Sequence, residues 1–169
     1  VVDTTERVRA QAHIQAERTR LTRLFDQAPG LMMMLTGREH VVELANPAFV
    51  RLMGGGALLG LPIREALPDM ARPDFLAILD DAYRSGTAFV ANSAKFQLQH
   101  AGQAHERILD FVCQPVTGPS GEVTGIFIEG HDVTEQRRAA DALHANERRL
   151  RFLDALAKAT AASTDAGAI

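Results

Sequence analysis

Residues 121–135 read GEVTGIFIEGHDVTE, and within this stretch the chain changes from a strand pattern to a helix pattern. Apolar side chains alternate through about 123–131, which is the period of a β-strand. After Asp132 the helical period returns and runs to about Ala162. The Asp132 carboxylate and the Thr134 hydroxyl can accept hydrogen bonds from free N–H groups of a first helical turn. The stretch therefore predicts a strand that leads directly into a capped helix.

Two more segments with the strand period lie upstream, at about 88–99 and 105–116. Polar turns at 100–103 and 118–121 join them to the strand at 123–131, which predicts an antiparallel meander.

A β-hairpin and several helices are predicted before the meander. Apolar runs at 31–35 and 40–44 flank a turn that contains Gly37, as in a hairpin. Asn46 and Pro47 provide an N-cap and a first-turn proline for one helix. A second helix is predicted from Pro73 until Gly86 ends it. Five strands with helices inserted in the middle predict an α+β domain.

Amphipathic helices are predicted at both ends of the chain, and their apolar stripes are expected to form the seam of a parallel homodimer. Pro29-Gly30 ends the first helix, and Asn146 lies in line with the stripe of the second, where a polar residue can set register and dimeric state. The seam residues are Ile14, Leu21 and Leu24 in the first helix and Leu143, Asn146, Leu150 and Leu153 in the second.

The two helices also resemble each other in sequence. DTTER at 3–7 is similar to DVTEQ at 132–136, and the same offset pairs Leu21 with Leu150. This predicts equivalent connectors in a tandem array of similar domains, although two charged amphipathic helices can also be similar by chance. Because the first residue is Val1 rather than Met, we expect the chain to be a fragment of a longer protein.

Composition narrows the possible partners and the compartment. A net charge of -3, from 18 basic and 21 acidic residues, gives no reason to expect nucleic acid or an anionic membrane as a partner. Cys113 is the only cysteine, so the sequence predicts no internal disulfide and no Cys-based zinc site, which fits the cytoplasm. No apolar run approaches the roughly 20 residues of a membrane span, so no direct membrane contact is expected.

The order of elements and four motifs resemble the PAS family of sensory domains. The motifs are NPAFVRLMG at 46–54, LGLPIREALP at 59–68, RILDFVCQP at 107–115 and the stretch at 121–135. The resemblance covers about residues 22–136 and implies the PAS fold, a five-stranded antiparallel sheet with short helices on one face. The long amphipathic helices at the N- and C-termini are added to it.

This organisation has four expected parts. They are a linker helix at 1–28, the PAS core at 29–132, a coiled-coil signalling helix at 133–162 and a frayed tail at 163–169, where a GAF domain could begin.

The resemblance implies that a change in the sheet passes to the helix that leaves the last strand. Asp132, Thr134 and Glu135 are the implied coupling residues, with helix capping alone as the alternative role of Asp132. The resemblance also implies a small pocket between the concave face of the sheet and the helices, and strand alternation indicates which side chains face it, with a filled core without ligand as an equal alternative. The pocket candidates are Met33, Phe49, Leu52, Phe75, Ile78, Phe96, Leu98, Phe111 and Ile128.

No cofactor, or an unknown small ligand, is expected. The blue-light flavin branch of the family needs a reactive cysteine in an Asn-Cys-Arg motif on a helix, and it uses a glutamine near the end of the last strand. This chain has no cysteine in its helical half, and it has Gly130 near the end of the last strand. Haem-binding relatives use an axial histidine on the helix around 74–85, and none lies there. The histidines lie on flanking helices, strand ends and turns, so no metal site is expected.

The resemblance implies a sensory module that is not catalytic. Separately, the sequence contains no phosphate-binding glycine loop and no recognisable set of catalytic residues. We expect it to couple a ligand or an upstream domain to an output domain of the same chain, that of a histidine kinase. The alternative is a ligand-free dimerisation or protein-interaction module in a cyclic-dinucleotide or other multidomain regulator.

Overall fold

The computed structural model describes residues 3–166, with side chains described as far as Thr164. Residues up to Asp132 form one unit and residues from Val133 form a second. The elements in chain order are α1 (Asp3–Gln27), β1 (Leu31–Thr36), β2 (Val41–Ala45), α2 (Pro47–Leu52), α3 (Ile63–Ala66), α4 (Pro73–Ser85), β3 (Phe89–His100), β4 (Gln103–Thr117), β5 (Val123–Asp132) and α5 (Thr134–Ala166).

The five strands form one antiparallel sheet in the order β2-β1-β5-β4-β3. The predicted α+β architecture with a hairpin, inserted helices and a meander is therefore confirmed. Ala101 and Gly102, both with positive φ, form the two-residue turn between β3 and β4. The last strand in sequence, β5, lies at the centre of the sheet because β1 and β4 pair with its two edges.

The core lies between one face of the sheet and helices α2 to α4. Burial alternates along the strands, as the period of two requires, so Ile126 and Ile128 are buried while Phe127 is only partly covered. Two aromatic contacts join the layers, since the Phe75 ring of α4 meets the rings of Phe96 and Phe111 edge-on at 5.9 and 5.7 Å.

Asn46 joins three parts of the first unit. Its Oδ1 accepts from the Phe49 N–H at 3.1 Å, which confirms the predicted N-cap of α2, and from the Met32 N–H at 3.0 Å. Its Nδ2 donates to the Gly30 carbonyl at 2.8 Å and to the Phe25 carbonyl at 3.4 Å. The side chain is completely buried, and these four bonds meet the requirement that buried polar groups be paired.

Both terminal helices are present, and α5 extends beyond its predicted end. Helix α1 has no buried residue, and α5 continues to Ala166, four residues beyond the boundary expected at 162. The segment after Ala162 contains no Gly or Pro before Gly167, so no helix-breaking residue ends α5 at the expected boundary. Residues 163–166 are therefore helical, and the rest of the expected tail, 167–169, lies outside the described residues.

Between residues 3 and 166, no helix combines the length and the apolar character that crossing a membrane requires.

Candidate functional site

The predicted coupling residues lie where the central strand ends. Strand β5 ends at Asp132, whose Oδ2 is 3.5 Å from the Arg107 guanidinium of β4. Helix α5 begins at Thr134, which is buried, whereas Glu135 is exposed. Arg107 was missed as a site residue by sequence reasoning, because the pairing of two strands brings it to Asp132.

Most of the predicted pocket residues form the packed core. Phe49, Phe96, Leu98, Phe111, Phe75, Met33 and Ile128 are buried, whereas Leu52 and Ile78 are only half-buried at its margin. In α4 the completely buried aliphatic residue is Leu79, the neighbour of the predicted Ile78. A ligand could enter the region between Phe75, Phe96 and Phe111 only if these rings moved apart.

A cavity of about 290 Å³ opens beside this core, at the free end of the β3–β4 hairpin. We call it the basic groove, and its lining residues are Arg51, Leu52, Leu98, His100, His105 and Arg107. Leu98 lies opposite His105 in the sheet register, and Phe96 lies opposite Arg107, so His105 and Arg107 share a face with buried core residues. The strand period alone could have indicated His105 and Arg107, which alternate with outward-facing residues.

A larger groove of about 830 Å³ lies between the C-terminal end of α4 and the β4–β5 turn. Arg38 and Arg84 line it together with Asp80 and Glu122, so its charges are balanced. Next to it, the buried His40 ring places Nε2 2.7 Å from Asp80 Oδ1. The mixed charges indicate no preference for one sign of ligand.

The residues present do not fit an adduct-forming flavin. Cys113 is buried on β4, and burial raises the pKa of its thiol to about 12, so it is not a nucleophile at neutral pH. A Cβ at Gly130 would lie 2.8 Å from the Asp110 carbonyl oxygen and 2.9 Å from Phe111 Cβ. That position therefore has no room for the glutamine used by the flavin branch. Among residues 3–166, no three His, Cys, Asp or Glu side chains are grouped as metal ligands.

The predicted dimer residues are all exposed in the single chain. The apolar ones are between 48% and 59% exposed, and Asn146 is also exposed. These residues are Ile14, Leu21 and Leu24 on α1 and Leu143, Asn146, Leu150 and Leu153 on α5.

Comparison with known structures gives the same fold with low sequence identity. An RNA-binding light-oxygen-voltage receptor matches 79% of this chain at 24% identity and a TM-score of 0.59, and the match spans 38% of that receptor. The PAS domain of Bordetella pertussis BvgS matches 79% of this chain and 98% of its own length at 21% identity and a TM-score of 0.54. A PAS domain from Colwellia psychrerythraea matches 69% of this chain and 97% of its own length at 14% identity and a TM-score of 0.55.

The family profile of the PAS fold matches residues 25–138, which is more than half of the chain. This span contains all five strands, the helices packed on them and the first residues of α5. PAS domains are generally sensory, non-catalytic modules. The chain belongs to the PAS family.

Proposed function

We propose that this chain is a cytoplasmic sensory relay. It couples a ligand, or the state of an upstream domain, to a histidine kinase output domain of the same chain. The observation that carries the proposal is the position of β5. This strand is central in the sheet, and it ends at Asp132, two residues before the start of α5. A change in the sheet would therefore reach the end of β5, from which the chain continues directly into the helix.

The relay is proposed to act as a dimer through α1 and α5. Apolar residues at heptad spacing on both helices are exposed in the single chain, and burying each leucine would contribute about 1.5–3 kcal/mol. Asn146 would set the register of the second seam.

Asp132→Ala in the full-length protein tests the coupling. We expect the PAS core to stay folded and the output to lose its response to the signal, because the ion pair with Arg107 at the end of β5 is removed. Asp141→Ala, an exposed position on α5, is the matched control and should respond as the wild type does. An unchanged response in Asp132→Ala would contradict the relay.

A second function is favoured by one observation, the contact among the rings of Phe75, Phe96 and Phe111. A core packed in this way suits a ligand-free dimerisation or interaction module, such as one in a cyclic-dinucleotide regulator. Native mass spectrometry of the purified chain separates the two functions. A bound small molecule supports the ligand sensor, and a bare chain that still dimerises supports the interaction module.

A further inference from the structure

The basic groove combines cationic walls with an apolar floor. Arg51 comes from α2, and the other three cationic or ionisable side chains, His100, His105 and Arg107, come from the β3–β4 hairpin. None of the six lining residues is acidic, in contrast to the larger groove with its Asp80 and Glu122. The rings of His100 and His105 are 6.5 Å apart, so both can offer N–H donors to one small ligand.

One carboxylate, that of Asp132, contacts an arginine that lines this groove. Its Oδ2 lies 3.5 Å from the Arg107 guanidinium. The Asp69 carboxylate accepts from the Gln99 backbone N–H, and the Glu106 side chain contacts Gln97 on the opposite face of the hairpin. A guanidinium carries five N–H donors, so Arg107 retains donors for an oxyanion beside its contact with Asp132.

We infer that the basic groove binds a small organic anion with one or more carboxylates. Arg51 and Arg107 would hold the carboxylates, His100 and His105 would donate further hydrogen bonds, and Leu52 and Leu98 would cover the carbon skeleton. Inorganic phosphate shares the oxyanion chemistry, but the apolar floor favours a ligand with carbon atoms. The volume of about 290 Å³ suits a compact di- or tricarboxylate.

This site rests on the proposed relay: the carboxylate would be its ligand, and the ion pair between Arg107 and Asp132 would connect the ligand to α5. Arg107 contacts the groove and Asp132 at the same time, so a ligand carboxylate competes with Asp132 for the same guanidinium. Binding would loosen the ion pair at the end of β5, next to the start of α5. Since such coupling is reciprocal, removing the Asp132 carboxylate should strengthen anion binding.

Isothermal titration of the whole chain at low salt, with succinate, citrate and phosphate as separate probes, tests the site. We expect saturable binding of at least one carboxylate, weakened about tenfold or more in Arg51→Gln and in Arg107→Gln. Asp132→Asn should bind several times more tightly. Arg64→Gln on α3 and Arg84→Gln in the larger groove are matched controls, expected to bind like the wild type.

Three outcomes would overturn the inference. They are no saturable binding of either carboxylate up to about 10 mM, equal loss in Arg64→Gln or Arg84→Gln, and phosphate binding as tight as the carboxylates. If Asp132→Ala abolishes the output response but no carboxylate binds, the relay stands and this site fails. If carboxylates bind as expected but Asp132→Ala leaves the response unchanged, the site stands and the relay fails.

Discussion

The PAS core and the terminal helices differ in how far their apolar side chains are buried. In the core, Met33, Leu79 and Ile126 are completely buried, and a side chain such as Asn46 has all its polar atoms paired. On α1 no residue is buried, and Leu21 and Leu150 remain more than half exposed. The core thus obtains its apolar burial from its own chain, whereas the helices leave apolar stripes that a partner could cover.

The largest expected difference between the two regions is in thiol reactivity. Burial raises the pKa of Cys113 from 9.0 to about 12, which lowers its thiolate fraction near pH 8 about a thousandfold. A cysteine placed at exposed Ala145 on α5 is the matched control and should react at the rate of a free thiol. Mass spectrometry of iodoacetamide labelling in the Ala145→Cys variant measures both sites in one sample.

The same pKa predicts how stability depends on pH. Between pH 9 and about 12, the unfolded thiol has lost its proton while the folded thiol retains it, so the free energy of unfolding falls as the pH rises through this window.

In the labelling experiment, rapid reaction of Cys113 in the folded chain at pH 8 would show that the core is open there and would remove the contrast with α5.

A smaller effect is expected from shortening one leucine in each region. Leu79→Ala should lower the free energy of unfolding of the core by about 3 kcal/mol, because it leaves a cavity. Leu150→Ala should change core stability by less than about 0.5 kcal/mol but reduce dimerisation. Urea denaturation, with Cys113 labelling as the reporter of core unfolding, measures the first quantity, and light scattering measures the second.

The state of the wild-type chain and the stability of the two leucine variants together test the proposed dimer. A wild-type chain that is monomeric at high micromolar concentration would show that the exposed stripes do not pair. An equal loss of core stability in both leucine variants would show that the two regions are not energetically distinct.

The smallest effect is expected at Asn46. Asn46→Ala removes the α2 cap and the bonds to Gly30 and Met32, and should cost about 2 kcal/mol of unfolding free energy. Asn92→Ala, at an exposed position on β3, should change stability by less than about 0.5 kcal/mol. Equal midpoints in thermal unfolding for the two variants would mean that the buried amide adds nothing to the core.

Local signals predicted most of the fold. Asn46 at the start of α2 and Gly86 at the end of α4 were predicted from residue type, and both occupy the capping positions, Gly86 with a left-handed backbone at φ 69°. The candidate pocket was harder to predict. Helical spacing assigned Ile78 to the inner face, but the packing of α4 on the sheet buries Leu79 instead, and two adjacent aliphatic residues cannot be distinguished by pattern alone.

By itself the sequence determined the order of the strands and helices, their turns and caps, and the amphipathic stripes, because each depends on residues a few positions apart. Only the tertiary structure decided which residues meet across those elements. It placed the rings of Phe75, Phe96 and Phe111 in contact, and it set Arg107 against Asp132, 25 residues away along the chain. It also brought Arg51 to the same groove as the two histidines and Arg107. Contacts between residues far apart in sequence depend on sheet register and helix packing, which local residue patterns do not encode.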